Sequence, residues 1–271
     1  MIEGPKGKKK LMEKDNEVFL TPNQAAEILN VSLSTLKKFI YSGKIKTLKT
    51  PGGHHRIRKS DLFEMMNIEA ISGQSGDQEH QTLLEVSRGL INLLERRQKF
   101  CCGHASVVCR ISLKIGLGLS FSAEDMCKLQ LAALLHDIGM LAIEEGILNK
   151  ITTLSEMEYS TIKTHPALGA DLISSVQSFQ KLSPIIRQHH ERYDGLGYPS
   201  GLKRDEICPE AKIVSLAEAF AAMTASDSYR KPLSEKQALC EIKKNYGGQF
   251  DPEITESFLK NYEVSRKKND E

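Results

Sequence analysis

The sequence predicts a mainly α protein with two parts, a small helix-turn-helix module with a β-hairpin and a larger all-helical bundle. Residues 18–70 carry two short helical patterns and a hairpin pattern. A Gly/Ser-rich polar stretch at 71–80 separates this module from the rest and is interpreted as a linker. Apolar residues at helical spacing dominate 81–264, with no convincing run of the alternation that is typical of strands.

Length and composition place the chain among ordinary globular proteins. Its 271 residues, 40% of them hydrophobic, can bury the cores of one or two domains. No stretch approaches the roughly 20 apolar residues that a membrane-spanning helix needs, and residues 1–10 are polar and basic, unlike a secretory signal. The six cysteines form no paired Cys-x-x-Cys framework, which is typical of a reduced compartment. We therefore expect a cytoplasmic protein with no membrane partner.

The first helix has a strong start signal. Thr21 is placed as the N-cap, Pro22 takes the first helical position, and Gln24 closes a capping box. The apolar pattern that follows is short, and the helix is predicted to stop near Asn30.

A second helix follows after a tight turn. Ser32 or Ser34 is predicted to cap it, and Gly43 is predicted to end it. Two short helices joined in this way make a helix-turn-helix. Lys37 and Lys38 are expected on the exposed face of its second helix.

Residues 44–58 read as a β-hairpin with its turn at 50–53, and a third helix is predicted to open at Ser60. Residues 31–60 contain eight basic side chains and no acidic one. A concentrated basic surface on a small module indicates a polyanion such as nucleic acid, although a solvated lysine face explains the charge equally well.

The N-terminal module resembles the excisionase and MerR-like winged helix-turn-helix family. The matching residues are Leu20-Thr21-Pro22, Ala25-Ala26, Ser34-Thr35-Leu36, Gly43-Lys44-Ile45 and Thr50-Pro51-Gly52-Gly53-His54. The resemblance implies that the second helix enters the major groove of duplex DNA while the wing crosses the backbone. It implies DNA contacts at Lys37, Lys38, His55, Arg56 and Arg58. The alternative is a helix-turn-helix used only for protein contact.

The helix predicted after the linker has apolar residues at helical spacing between Leu83 and Leu94. This amphipathic face suits packing between domains or a dimer seam equally well. Because such DNA-binding modules commonly read paired half-sites, the pattern is compatible with a homodimer.

Histidines are the unusual feature of the bundle. Two of them, His189 and His190, are adjacent and precede a glycine-rich turn, and the pair His136-Asp137 ends the apolar run 131–135. Burying such groups requires a strong partner, and a divalent cation is the simplest one. Mixed imidazole and carboxylate ligands favour iron, manganese or zinc over calcium. A thiolate or redox site among the nearby cysteines is the less favoured alternative, since adjacent cysteines chelate poorly; these are Cys101, Cys102 and Cys109.

The bundle resembles the HD-GYP family, the cyclic-di-GMP phosphodiesterase branch of the HD hydrolases. The matching motifs are Gly103-His104-Ala105, His136-Asp137-Ile138-Gly139, Ile147-Leu148-Asn149-Lys150, Lys163-Thr164-His165-Pro166, the stretch 189–199 and Phe250-Asp251-Pro252-Glu253. The resemblance implies an HD-type fold and two divalent ions, iron or manganese, bridged by Asp137. It implies metal ligands at His104, His136, Asp137, His165, His189, His190 and Glu218.

The same resemblance assigns the chemistry. His136 and Asp137 carry catalysis, and cyclic-di-GMP is the implied substrate. Substrate contacts are implied at Gly197, Tyr198, Arg230 and Lys231. The Gly-Tyr-Pro loop is also a candidate docking site for a partner protein.

Four positions depart from the family pattern. Met140 replaces a lysine that is expected to meet substrate phosphate, and Asp227 replaces an arginine. Glu218 stands where the family usually has an aspartate ligand, and Ala221 replaces a neighbouring aspartate. The lost cations raise a second hypothesis, in which an inactive HD-GYP domain senses a nucleotide or docks a partner and thereby controls DNA binding.

Overall fold

The structure is a computed structural model. It describes residues 19–28, 33–41, 45, 47–50, 53–58, 78–97, 103–225 and 231–267. Two separate clusters of buried apolar side chains lie in these segments, one in each predicted part of the chain.

The N-terminal part combines two helices with a three-stranded antiparallel sheet. Its elements are β1 (Phe19–Leu20), α1 (Pro22–Ile28), α2 (Leu33–Tyr41), β2 (Leu48–Lys49) and β3 (His55–Arg58). Strand β3 is central: it pairs with β2 to form the predicted hairpin, and with β1 on its other side. The sequence predicts only an apolar step at β1, so this strand is an additional finding.

Local capping starts helix α1 as predicted. The backbone N–H of Gln24 donates to Thr21 Oγ1 at 3.3 Å, and the N–H of Thr21 donates to Gln24 Oε1 at 2.9 Å. The predicted helix stop at Asn30, the cap at Ser32, the stop at Gly43 and the third helix from Ser60 lie outside the described residues. The alternative cap, Ser34, lies inside α2 and so does not precede it. The core of this part consists of Leu20, Ala25, Ala26, Leu36, Ile40, Ile45 and Ile57.

The second part is helical, as predicted. Its helices are α3 (Gln78–Arg97), α4 (His104–Gly118), α5 (Ala123–Leu135), α6 (Glu145–Leu148), α7 (Glu156–Ile162), α8 (His165–Ser174), α9 (Ser183–Gln188), α10 (Pro209–Thr224), α11 (Glu235–Lys244) and α12 (Pro252–Lys267). Three short 3-10 segments are Ile138–Ala142, Gln177–Leu182 and Arg204–Glu206. In the segments described from residue 78 onward, β-structure is limited to one bridge between Tyr246 and Phe250.

Helix α3 begins at Gln78, inside the stretch predicted as linker. The first turn is anchored because His80 is buried and its Nε2 lies 3.0 Å from Gln130 Oε1 on helix α5. This contact joins residues 50 positions apart, so the polar composition of 71–80 does not reveal it.

Helix α5 forms the centre of the bundle core. Ser122 caps it by accepting the N–H of Asp125 at 3.1 Å. Its residues from Leu129 to Leu135 are all buried, and burying each leucine stabilises the fold by roughly 1.5–3 kcal/mol. His136 and Asp137 directly follow the C-terminal end of this buried helix, so the helix fixes their positions.

None of the helices in the described segments has the length and apolar character needed to cross a bilayer.

Candidate metal centre and nucleic-acid interface

Close backbone contact positions Asp137 against helix α8. A Cβ at Gly139 would lie 2.0 Å from the carbonyl oxygen of His165 and 2.5 Å from the N–H nitrogen of Gly169. Only glycine permits this approach. The approach brings Asp137 Oδ1 to 3.2 Å from His165 Nε2.

A buried carboxylate fixes the start of helix α4. Glu95 on α3 is buried, and its Oε2 accepts the N–H of Gly103 at 3.0 Å. Gly103 has a φ of 79°, a left-handed conformation that suits glycine. The following residue, His104, is thereby directed to the end of α4 that faces His136, with ring centroids 5.5 Å apart.

Three histidines are oriented by the same backbone contact. The Nδ1 atoms of His136, His165 and His189 lie 2.9, 2.8 and 2.6 Å from the carbonyl oxygen three residues earlier. A carbonyl can only accept a hydrogen bond, so each Nδ1 carries a proton, and in the neutral imidazole each Nε2 presents a lone pair. This is the usual arrangement of histidine ligands in metal sites.

The imidazole lone pairs converge on Asp137. His136 Nε2 lies 3.3 Å from Asp137 Oδ2, and the Nε2 atoms of His165 and His189 are 3.2 Å apart. Two groups of potential ligand atoms, each within 4.8 Å of one another, share Asp137. They are Asp137, His165, His189 and His190 in one group and His104, His136 and Asp137 in the other. A carboxylate shared between two clusters is the arrangement expected of a bridged pair of cations.

Two of the converging atoms lack hydrogen-bond partners in the described part of the chain. They are His136 Nε2 and Asp137 Oδ1, both fully buried. An unsatisfied buried polar atom costs about 1–3 kcal/mol, and more when it is charged. Likewise, the facing lone pairs of His165 and His189 repel each other unless a cation lies between them. These residues therefore fit divalent metal ions well.

Burial and charge separate the pKa values of the histidines. Burial lowers the pKa of His104 to about 4 and that of His190 to about 3, so both are neutral and available as ligands near neutral pH. Burial also disfavours charge on His136, but Asp137 and Glu218 outweigh it and raise its pKa to about 9. The two carboxylates thus attract positive charge into the pocket, which a metal ion supplies more strongly than a proton.

Glu218 lies at the edge of the centre. Its Oε1 is 3.6 Å from His190 Nε2, but it is in neither group of ligand atoms. Burial raises the pKa of Glu218 to about 7. Burial also opposes ionisation of Asp137, yet His136 and His165 hold the pKa of Asp137 well below its usual range. Asp137 is therefore the ionised carboxylate, while Glu218 needs a nearby cation to become fully ionised.

The Gly-Tyr-Pro loop is held against the centre by Glu191, a residue that the sequence analysis did not single out. Its buried carboxylate accepts the N–H groups of Ser200 at 2.6 Å and Leu202 at 3.1 Å. The ring of Tyr198 stacks on His190 with centroids 4.7 Å apart. A Cβ at Gly197 would lie 2.4 Å from the backbone nitrogen of Arg192, so the loop requires glycine there.

A second residue missed by the sequence analysis is Lys163. Its Nζ lies 4.7 Å from the ring centroid of Tyr159 and 5.5 Å from that of Tyr198. No carboxylate pairs with it in the segments described. Of the predicted substrate contacts, Lys231 is exposed and Arg230 lies outside the described residues. Lys163 is part of the matching motif Lys163-Thr164-His165-Pro166, two residues before His165, but the motif alone did not assign it a contact.

Two more of the positions that depart from the family pattern, Met140 and Ala221, lie in hydrophobic surroundings. Met140 is partly buried and packs against the hydrophobic core, and Ala221 is buried. Asp227 lies outside the described residues. Cys109 is buried, which raises the pKa of its thiol to about 12 and makes it a core residue, while Cys101 and Cys102 lie outside the description.

The predicted DNA contacts are partly described. Lys37 is exposed on α2, as expected. His55 is half-buried, and its Nδ1 lies 2.7 Å from Thr47 Oγ1, so it also stabilises the hairpin. Arg56 is half-buried and donates to the carbonyl of His55 at 3.1 Å. The side chains of Lys38 and Arg58 lie outside the description.

Comparisons with known proteins agree with both parts. The HD domain profile matches residues 88–254, and a helix-turn-helix domain profile matches residues 19–67. The chain is 36% identical over 180 residues to the cyclic di-GMP phosphodiesterase of Thermotoga maritima, covering 66% of this chain and 49% of the relative. It is 34% identical over 209 residues to the cyclic di-GMP phosphodiesterase response regulator RpfG of Xanthomonas campestris pv. campestris, covering 75% and 53%. The chain thus spans about half the length of these curated relatives.

A solved structure supports the fold. The HDG"Y"P protein from Bdellovibrio bacteriovorus aligns with a TM-score of 0.53 at 19% identity, covering 86% of this chain and 78% of that chain. The expected HD-type helical fold and N-terminal helix-turn-helix are therefore confirmed. Because the HD domain profile matches more than half of its residues, this chain belongs to the HD-domain family.

Proposed function

We propose that this protein is a metal-dependent phosphodiesterase that hydrolyses cyclic di-GMP and is coupled to a DNA-binding module. The observation that carries the proposal is the pair of ligand groups that share Asp137. Substrate identity rests on relatives whose names state cyclic di-GMP phosphodiesterase activity. A cytoplasmic location follows from a nucleotide substrate and a DNA partner, both of which are found inside the cell.

The proposed cofactors are two divalent ions, iron or manganese, with zinc as the alternative. The two ligand groups would hold one ion each, with Asp137 shared between them and Glu218 beside His190. When bound, such ions neutralise charge on phosphoryl oxygens and lower the pKa of water. The chain's own contribution is orientation: backbone carbonyls hold the Nδ1 protons of His136, His165 and His189, so their Nε2 atoms stay directed at one point.

Substrate binding is assigned to the rim formed by Tyr198 and Lys163. Tyr198 offers a flat ring beside His190, which suits stacking of a base or a sugar. Lys163 provides an ammonium group near that ring, and we assign to it the phosphate contact that Met140 cannot make. A charge-assisted hydrogen bond of this kind contributes about 1.5–3 kcal/mol. Gly197 and Lys231 remain proposed contacts, as does Arg230.

The second candidate is a sensor that keeps its metals but does not hydrolyse the nucleotide. Met140 favours it, because this side chain packs against the core and brings no charge to the pocket. A third candidate role is docking of a protein at the Gly-Tyr-Pro loop, where Leu196 is 78% exposed.

A turnover assay separates these candidates. Protein loaded with manganese or iron(II) is expected to linearise cyclic di-GMP. Chromatography of the product measures this reaction. In the same assay Lys163→Met should raise the KM by about 10- to 150-fold, since one such hydrogen bond is lost. Lys181→Met is the matched control, because this lysine is exposed and pairs with Glu124 at the surface. Metal-loaded protein that binds the nucleotide without cleaving it would identify the sensor instead.

We assign duplex DNA binding to the N-terminal module through Lys37, Lys38, His55, Arg56 and Arg58. Residues 31–60 carry eight basic and no acidic side chains, and Lys37 is exposed on the second helix of the motif. Contacts of this kind to phosphates release counterions.

The full chain is expected to bind duplex DNA with an affinity that falls more than about tenfold between 50 and 200 mM salt, if three phosphates are contacted. Fluorescence anisotropy with a labelled duplex measures this dependence. Lys37→Glu should weaken binding, whereas Lys181→Glu, an exposed lysine on the helical part, should not. Binding that is insensitive to salt would argue for a module that contacts protein instead.

A further inference from the structure

A cavity of about 420 Å³ lies beside the Gly-Tyr-Pro loop and outside the candidate metal centre. We call it the loop cavity. Its walls belong to the loop and to the turn between α11 and α12, and they are lined by Tyr193, Asp194, Lys203, Arg204 and Gly247. None of these lining residues is a predicted metal ligand. A cavity of this volume can hold a small organic ligand, so it is a separate candidate binding site.

Backbone hydrogen bonds hold the two walls of the loop cavity together. The N–H of Tyr193 donates to the carbonyl of Gln249 at 3.1 Å, and the N–H of Asp194 donates to that of Gly248 at 2.9 Å. Within the loop, the N–H of Arg204 donates to the carbonyl of Tyr193 at 3.2 Å. The walls are therefore fixed relative to each other without the help of a ligand.

The charges around the loop cavity leave two cations without a compensating carboxylate. Arg192 donates through Nε and Nη2 to the Asp194 carboxylate at 3.0 and 2.6 Å, so this pair is neutral. The Glu206 carboxylate accepts the backbone N–H of Lys203 at 2.9 Å. Within the described segments, no carboxylate lies at ion-pair distance from the side chains of Lys203 and Arg204. Two neighbouring cations of this kind favour an anionic ligand.

The two cations are held at defined places on the wall. Arg204 has a φ of 51°, in the left-handed region that residues other than glycine rarely occupy. Backbone strain of this kind occurs preferentially at functional sites. The stem of Lys203 packs against the loop, since a Cβ at Gly195 would lie 3.3 Å from Lys203 Cβ.

An aromatic ring completes the wall. Tyr193 is half-buried, and the Lys212 ammonium lies 5.5 Å from its ring centroid. Lys212 is itself paired with Asp251 at 3.0 Å, so it adds no uncompensated charge. The ring of Tyr193 offers an apolar surface to a flat heterocycle. A ligand that suits both the ring and the two cations has a base and a phosphate.

We propose that the loop cavity binds a nucleoside monophosphate at a site separate from the metal centre. Its phosphate contacts Lys203 and Arg204, and its base packs against Tyr193. The site requires neither metal ions nor hydrolysis, because all of these groups lie outside the two groups of ligand atoms that share Asp137.

Substitution of the two cations tests the site. Isothermal titration calorimetry with GMP is carried out on the metal-loaded full chain. Lys203→Met and Arg204→Gly should each weaken GMP binding at this site by about 10- to 150-fold, since each removes one charge-assisted hydrogen bond. Glycine suits the backbone at position 204, so Arg204→Gly should be at least as stable as the wild type in thermal unfolding. Its loss of binding therefore cannot come from misfolding.

Lys181→Met is the control for these variants, because Lys181 is exposed and pairs with Glu124 far along the chain from the loop. It should bind GMP as the wild type does. Binding of GMP at the metal centre alone would be unchanged by Lys203→Met and Arg204→Gly, and that result overturns the proposal. A wild type that does not bind GMP overturns it as well.

A ligand series tests the chemistry. The site that is lost in Arg204→Gly should bind GMP more tightly than inorganic phosphate, which has no base, and should not bind guanosine, which has no phosphate. Equal affinity of that site for GMP and inorganic phosphate would identify a plain anion site and overturn the nucleotide assignment. These readouts use neither turnover nor DNA, so their failure leaves the proposed function untouched.

Discussion

His136→Ala is expected to reduce hydrolysis of cyclic di-GMP to below about 1% of the wild-type rate and to deplete bound metal. The Nε2 atom of His136 is buried without a hydrogen-bond partner among the described residues, and it lies 3.3 Å from Asp137 Oδ2. Removing it takes one potential ligand atom from the group formed by His104, His136 and Asp137. Metal analysis by mass spectrometry and the turnover assay measure the two effects.

The control for this variant is His54→Ala, which removes an exposed histidine of the hairpin turn and should change neither readout. The metal measurement stands by itself if the wild type proves to be a sensor without turnover. Full metal content and an unchanged rate in His136→Ala would contradict the proposed centre.

Gly139→Ala is expected to destabilise the protein by about 3 kcal/mol, because the new methyl group would collide with two backbone atoms that cannot move aside easily. For a domain of this size the melting temperature should fall by about 6–12 °C. Metal affinity should fall as well, since the same contact positions Asp137 against His165. Calorimetry and metal analysis measure both effects.

Gly146→Ala provides the comparison, since its Cβ would meet only the flexible end of Glu144 at 3.6 Å. An alanine in that helix should leave stability equal or raise it by up to about 1 kcal/mol. A Gly139→Ala protein as stable as Gly146→Ala would show that the approach of the two backbones is not needed.

The structural features that could be predicted depend on residues close together in the sequence or on recognisable motifs. Thr21, Pro22 and Gln24 start helix α1 because capping depends on neighbours within one turn. The HD-type fold followed from motifs spread across the chain, which the family match now confirms. The assignment of individual ligands remains a prediction, supported by the two groups that share Asp137.

Contacts distant in sequence account for what was missed. Strand β1 has two residues and no pattern of its own; it exists because it pairs with β3, some forty positions away. His80 lies within hydrogen-bond distance of Gln130, 50 positions away, and this contact anchors the first described turn of α3. Glu191 could have been noticed beside His189 and His190, but its role depends on loop nitrogens that only the fold brings close.

The carbonyls that orient His136, His165 and His189 belong to the last turns of helices α5, α7 and α9, where no amide of the same helix remains to satisfy them. In each imidazole, Nδ1 therefore donates a hydrogen bond to a carbonyl at a helix end, while Nε2 faces the pocket. Exchanging any of the three would fray a helix end and weaken cofactor retention together. In the proposed centre, thermal stability and metal affinity are therefore coupled at these three positions.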